Sequence, residues 1–521
     1  MAEPRFEIPE RFNLTQYLLD RRLQEGRGDH LALRVDQPDG STRGWTYTEV
    51  AEVANRAGNA LARLGVEPEQ RVIVALSDSA EFVAVLFGAL KIGAVVVMVN
   101  PKLSAGELSR LCEYIRPKAA VVASDAVPAY SQAQAETRFP RLLVAAHGPA
   151  GPAYQLENEL ASSSVELEAE TTHRDDAAIW LFSGGTTGRP KAVIQSHASF
   201  ANTTELYARC ALGYRAEDVT LAVPKLFFGY ATGSNLFFPF SVGATAVLFP
   251  EHPSAEVIFA KIRRHRPSIL INVPTLVNQM VQHPAASSED LSSLRFATSA
   301  GEALPVELYH RFRDTFGVEL LDGLGTAEMW HIFVSNLPGA VKPGTLGRVV
   351  PGFEVSIRNE EGVELGADEV GRMWVRGGSL AQGYWREKAR TEEAFRGEWF
   401  VGGDLASRDA EGYISYHGRG DEVLKVAGRW LAPAEVESCL LGHSAVRECA
   451  VVGVPDGAGL IKPQAYVVTD QPTPELADEL KAFALARLDA YKHPREIVFV
   501  PSLPRTHLGK VDRGKLRGGR G

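Results

Sequence analysis

Ser183-Gly184-Gly185-Thr186-Thr187-Gly188-Arg189-Pro190-Lys191 follows directly on the apolar run 178–182. Its residue types are those that hold a polyphosphate. Glycines let main-chain N–H groups turn toward anionic oxygens, the threonine hydroxyls add donors, and the lysine supplies a compact positive charge. It is not a Walker loop, because Pro190 precedes the lysine and Ala192 stands where a Mg²⁺-binding Ser or Thr is required.

Outward from this stretch, short β-rich runs alternate with helical patterns. The runs 72–76, 119–123, 178–182, 220–223, 244–249, 268–273 and 318–321 read as buried strands, while 47–64, 255–265 and 305–316 carry apolar residues at helical spacing. This predicts a large α/β domain with largely parallel sheets, whose ligands sit at the carboxyl ends of strands. Three glycine-bearing motifs, starting at Ser183, Ser299 and Asp322, are expected to begin where a strand ends. From about Gly352 the pattern becomes hairpin-like β: 354–358, the turn Asn359-Glu360-Glu361-Gly362, then 372–376. A smaller α/β unit follows, with strands at 448–454 and 464–468 and a helix at 475–488, so the expected division is 1–420 and 421–521.

At 521 residues the chain exceeds what one hydrophobic core organises, and 45% hydrophobic with 23% charged residues describes an ordinary soluble globular protein. A net charge of −9 leaves no excess of cation to displace counterions, which argues against a general nucleic-acid binder. Cys112, Cys210, Cys439 and Cys449 lack metal-ligand or CxxC spacing, so reduced thiols are expected. The first twelve residues lack the apolar core of a signal peptide, and the expected location is cytoplasmic. The apolar stretch 82–99 is interrupted by Lys91 and Gly93 and reads as a helix followed by a buried strand rather than a membrane span. No G-x-S-x-G elbow and no HExxH supports hydrolase chemistry.

Six further stretches follow the first in a fixed order: Val273-Pro274-Thr275-Leu276, Ser299-Ala300-Gly301-Glu302-Ala303-Leu304, Asp322-Gly323-Leu324-Gly325-Thr326-Ala327-Glu328, Gly403-Asp404, Gly418-Arg419-Gly420-Asp421 with Lys425-Val426-Ala427-Gly428-Arg429, and Pro504-Arg505-Thr506-His507-Leu508-Gly509-Lys510. Together they span about 330 residues, and the whole chain resembles the adenylate-forming acyl-CoA ligases. The resemblance implies that a carboxylic acid is activated by ATP as an acyl-AMP, with release of pyrophosphate, and then passed to the thiol of CoA. It implies that Ser183, Gly185, Thr186, Thr187, Gly188 and Lys191 grip the phosphates and that Glu328 holds Mg²⁺. Gly301, Glu302, Ala303, Asp322 and Gly323 would flank adenine, with Thr326 near the α-phosphate. Asp404 would take the ribose hydroxyls, with Arg419 beside it. Lys510 would bridge the α-phosphate and the carboxylate. Asp421 matches the family hinge, about which the small domain would rotate to bring Lys425, Gly428 and Arg429 to a CoA channel. Two departures stand out: Ala327 and Gly402 occupy places where the family commonly has threonine.

Lys225-Leu226-Phe227-Phe228-Gly229-Tyr230-Ala231-Thr232-Gly233 and the segment 328–336 resemble the benzoate-CoA ligases within that superfamily. Phe228, Gly229, Tyr230, Ala300, Gly325, His331 and Ile332 are the implied contacts of an aromatic acid. Ordinary core packing is the competing reading for Phe227 and Phe228. Gly229 stands where benzoate ligases commonly have a slightly larger residue, so a ring substituent such as the 2-amino group of anthranilate is expected to find room, with benzoate also accepted; His331 or Tyr230 would orient it. An aryl-AMP ligase loading a carrier protein and a catalytically silent nucleotide-binding regulator are the alternatives. The sequence leaves a homodimer open.

Overall fold

The computed structural model describes residues 6–183, 190–420, 422–426, 429–456, 460–505 and 511–518. Two large sheets dominate. The first has eight strands in the order Gly383–Tyr384, Lys191–Ser196, Ala177–Ser183, Val95–Met98, Arg71–Ala75, Ala119–Ala123, Leu142–Ala146, Tyr154–Gln155. The second has nine, in the order Arg348–Val349, Ile332–Ser335, Leu320–Gly325, Phe296–Ser299, Ile269–Asn272, Val219–Ala222, Thr245–Leu248, Leu31–Asp36, Thr42–Thr46. Both are parallel through the middle; the second is antiparallel at both edges, the first only at the edge formed by Gly383–Tyr384 and Lys191–Ser196.

The continuous apolar runs have a direct physical reading: these strands are covered on both faces. Ile269 and Ile271 join Val72 and Val74 in one core shared by the two sheets, whereas Leu270 points to the opposite face of its sheet and Ile73 to the opposite face of the other. The shared core is filled by helices Tyr47–Arg63 and Ala80–Lys91. The first starts at a capping box, in which the Thr46 hydroxyl accepts the Glu49 N–H and the Glu49 carboxylate accepts the Thr46 N–H. The two helices press together at Gly88, where a Cβ would lie 2.5 Å from the Ala54 carbonyl oxygen. Helices Ala255–His265, Pro274–Gln282 and Val306–Phe316 cover the outer face of the second sheet, and Ala105–Ile115 and Val127–Thr137 that of the first.

The α/β architecture agrees with the sequence reading, with three differences. The glycine-rich stretch is followed by a strand, so its flanks form a hairpin in which Ser183 and Lys191 are register partners. Asp322 lies inside strand Leu320–Gly325 rather than after it. The strand continues because Gly323 and Gly325 lack side chains: a Cβ at Gly325 would stand 2.3 Å from the His331 carbonyl oxygen of the neighbouring strand connection. Strands Leu31–Asp36 and Thr42–Thr46, unread in the sequence, extend the second sheet.

Beyond these layers, Phe353–Arg358, Gly371–Gly377, Phe395–Arg396, Trp399–Arg408 and Ile414–Arg419 form a five-stranded antiparallel sheet. Further along the chain, Glu448–Pro455, Ile461–Val468 and Glu496–Phe499 form a three-stranded sheet with helices Pro433–Leu441 and Pro474–Leu485, around apolar clusters of their own. Asn278 donates from its side chain to the Arg447 carbonyl at 2.7 Å, and Arg311 to the Leu441 carbonyl at 3.4 Å, joining this unit to helices Pro274–Gln282 and Val306–Phe316.

Candidate active site

Lys191 opens the second arm of the hairpin, half-buried, with its ammonium 4.4 Å from the centre of the Tyr384 ring. The Tyr384 hydroxyl donates to Glu328 Oε1 at 2.8 Å. One aromatic side chain therefore holds the cation against its face and the carboxylate at its edge. Glu328 is buried on the single turn Ala327–Met329, which Thr326 caps by accepting the Met329 N–H at 3.2 Å. The turn is pinned further by Gln195, which donates to the Ala327 carbonyl, and by the Ala381 N–H, which donates to the Glu328 carbonyl. Burial lowers the Lys191 pKa, Glu328 opposes that shift, and Arg390 and Arg419 add to it. The Tyr384 phenol is pushed up by burial and by Glu328, so it stays a donor at neutral pH. Tyr384 and Arg390 were not legible as site residues, since neither falls in a motif.

Asp404 and Arg419 are register partners on neighbouring strands. Tyr416 donates to Asp404 Oδ1 at 3.2 Å, and the guanidinium of Arg419 lies across Gly403, where a Cβ would meet Nη2 at 2.9 Å. Of the expected adenine wall, Gly301 has φ +88° with open space where a Cβ would project, and Glu302 accepts from Thr275 at 2.7 Å. Ala303 is exposed beside them. Asp322 and Gly323 are buried, and Asp322 Oδ1 has no hydrogen-bond partner. Burial pushes the Asp322 carboxyl up.

On the aromatic side, Tyr230 shares a 2.7 Å hydrogen bond with Thr298, and its ring lies 5.4 Å from that of His331. His331 is enclosed by Phe238 at 4.7 Å, Trp330 at 5.2 Å and Tyr207 at 5.9 Å between ring centres. Trp330 adopts φ +61°, uncommon for a bulky residue, and holds it because its ring is wedged against Phe200 and Phe238. His331 Nε2 is 3.1 Å from the Tyr230 carbonyl and 3.2 Å from the Ser234 hydroxyl. A carbonyl only accepts, so Nε2 carries the hydrogen and Nδ1, buried and without a partner, presents a lone pair. Burial holds the ring neutral, with its pKa lowered to about 4. Gly233 is a further contact that sequence reasoning missed, since a Cβ there would stand 2.5 Å from the imidazole.

Phe227 and Phe228 face one another at 4.3 Å, and Phe227 packs on the shared core. A methyl at Gly229 would touch both Leu181 methyls at 3.4 Å, an ordinary contact. Ala300 and Ile332 are buried nearby in sequence to the second and third motifs. Lys425 and Arg429 are exposed on the hairpin Leu424–Val426/Arg429–Leu431, with the Arg429 guanidinium over Tyr491. Gly185, Thr186, Thr187, Gly188, Asp421, Gly428 and Lys510 lie outside the described residues. No helix among the described residues is long and apolar enough to cross a membrane.

A doubly covered parallel scaffold brings a lysine, a carboxylate and a cluster of aromatic rings together at segment 322–332, and its class is that of the AMP-forming acid–thiol ligases. The chain belongs to the AMP-binding enzyme family: that family matches residues 19–385, and the AMP-binding enzyme C-terminal domain matches residues 435–510. It is 40% identical over 519 residues to a benzoate–CoA ligase of Thauera aromatica, covering 99% of this chain and 97% of that one. Among solved structures, the anthranilate CoA ligase AuaEII in complex with anthranoyl-AMP superposes with a TM-score of 0.93 at 37% identity over 98% of both chains. A benzoate CoA ligase from Burkholderia xenovorans LB400 superposes with a TM-score of 0.89 at 40% identity, over 97% of this chain and 100% of that one.

Proposed function

We propose that this chain activates a benzoate-type acid with ATP and transfers the acyl group to CoA, releasing AMP and pyrophosphate. The observation that carries the reading is the single segment 322–332, which bears Glu328 at a charged end with Lys191 and His331 at an aromatic end with Tyr230. A carboxylate acylates poorly until oxide is replaced by a better leaving group, so the first step is attack on the α-phosphate. Negative charge then shifts toward the β- and γ-phosphates, and alignment with charge neutralisation supplies the catalysis. Lys191 and the glycine-rich stretch would hold those phosphates, and Asp404 with Arg419 the ribose. Glu328 offers a hard oxygen fixed by Tyr384. Mg²⁺ brought with ATP would be held by the Glu328 carboxylate and would supply charge neutralisation at the phosphates. Lys510, carried by the small unit, would bridge carboxylate and α-phosphate. Rotation of residues 421–521 about Asp421 would then withdraw it and present Lys425, Gly428 and Arg429 to CoA.

For the ring substituent, the missing side chain at Gly229 favours an acid with a small 2-substituent, and the 2-amino group of anthranilate is such a group. The test is pyrophosphate release and thioester formation with Mg²⁺-ATP and CoA across benzoate, its 2-, 3- and 4-amino and hydroxy derivatives, cinnamate and octanoate. The expected result is the highest kcat/KM on anthranilate, with benzoate also turned over. Pyrophosphate release without thioester would point to carrier-protein loading, and silence on every aryl acid would overturn the reading.

A further inference from the structure

We propose that Asp78 is a positioning residue for the acid-binding wall, holding in place the turn that carries Phe227, Phe228 and Gly229. The inference rests on the aryl-acid reading above. Asp78 stands just before Ser79, which caps helix Ala80–Lys91, so its backbone belongs to the rigid junction between the first sheet and that helix. Its side chain is buried and reaches across the chain: Oδ1 accepts the Leu226 N–H at 2.8 Å, from a residue 148 positions away. Leu226 itself is fully buried, and its carbonyl accepts from the Thr232 hydroxyl. Both polar backbone groups of Leu226 are therefore clamped, one by the first turn of the following helix and the other by Asp78.

Lys225 completes the arrangement. Its ammonium donates to the Phe249 carbonyl at 2.6 Å, lies 3.5 Å from the centre of the Phe249 ring and 4.0 Å from Asp78 Oδ2. The turn closes with the Phe228 N–H donating to the Lys225 carbonyl at 2.9 Å. Apolar packing alone would bury Leu226 without fixing its rotation. A carboxylate aimed at one N–H and balanced by one ammonium gives the turn a direction, and the aromatic pair at 227 and 228 follows from it.

Burial raises the Asp78 pKa to about 6 and lowers that of Lys225, each opposed by the other; Glu251, Lys261 and Lys102 also act on Lys225. As pH falls through about 6 the carboxyl takes up a proton and its hold on Leu226 and Lys225 weakens.

The experiment is steady-state kinetics of the full chain and of Asp78→Ala, Asp78→Asn and Lys225→Met, with separate KM values for the aromatic acid and for ATP between pH 5.5 and 8.5. Asp78→Ala should raise the acid KM about tenfold or more, as expected for loss of a hydrogen bond to a charged group, and leave the ATP KM within about twofold. Asp78→Asn, which keeps an acceptor, should raise it less and should abolish the rise in acid KM that wild-type enzyme shows below about pH 6. An acid KM unchanged in all three variants, or acid and ATP KM values rising together, would overturn the proposal. If Asp78→Ala does not fold, the other two variants decide it. Wild-type inactivity on every aryl acid would remove the functional reading and this one with it; wild-type turnover with unaltered variants would remove this one alone.

Discussion

Replacing Tyr384 by phenylalanine separates the two things that this side chain does. The hydroxyl donates to the buried Glu328 carboxylate at 2.8 Å, and the ring carries the Lys191 ammonium at 4.4 Å. Tyr384→Phe removes the first and keeps the second. A hydrogen bond to a charged group contributes about 1.5–3 kcal/mol. If Glu328 acts on the polyphosphate in the transition state, its loss of orientation should lower kcat/KM for ATP by about 10- to 150-fold, because 1.36 kcal/mol is tenfold in rate. Tyr384→Leu also removes the ring, and a cation–π contact of about 0.5–2 kcal/mol predicts a further loss of about 2- to 30-fold. The assay is pyrophosphate release at saturating acid and CoA, read beside the melting temperature of each variant. A Tyr384→Phe enzyme within twofold of wild type would refute the reasoning. So would equal losses in both variants that track a lowered melting temperature, since the residue would then serve the fold alone.

Gly229→Ala should fold normally, because the new methyl meets Leu181 at ordinary contact distance, and should alter the ratio of kcat/KM between anthranilate and benzoate by about 1–3 kcal/mol; an unchanged ratio would remove Gly229 from substrate choice. Asp36 is buried, and although burial pushes its carboxyl up, hydrogen bonds from Lys261 at 2.7 Å, Thr42 at 2.6 Å and His265 at 3.0 Å outweigh that and lower it. With the folded pKa below the unfolded one, the stabilisation is complete above the unfolded value near pH 4 and is lost as pH falls through the folded value. Asp36→Asn should therefore cost about 3–5 kcal/mol at pH 7 in denaturant unfolding, and the gap from wild type should narrow below about pH 4. Gly88→Ala drives a methyl onto the Ala54 carbonyl and should destabilise by about 1–3 kcal/mol, measured as a fall in melting temperature, whereas the same change at Gly317, which has open space, should cost mainly its left-handed backbone strain.

The strands that carry the scaffold were legible because burial on both faces leaves a local mark. Runs such as 119–123 and 269–271 are apolar at every position, and helix Ala255–His265 shows its period within eleven residues. Two misreadings share one cause. The Lys191–Ser196 strand and the continuation of strand Leu320–Gly325 depend on partner strands that the sequence does not announce, and glycine, read as a turn signal, serves at 323 and 325 to let a neighbouring backbone approach.

What the sequence by itself determined is therefore the order of layers and the list of chemically apt residues, because hydrophobic periodicity and motif spacing are short-range properties. Which of those residues meet was decided only by the tertiary structure. Tyr384 reaches Glu328 across 56 positions and Asp78 reaches Leu226 across 148, and no local pattern marks either pair. The neutral state of His331 belongs to the same class, since it follows from the aromatic enclosure that surrounds the imidazole and not from its neighbours in the chain.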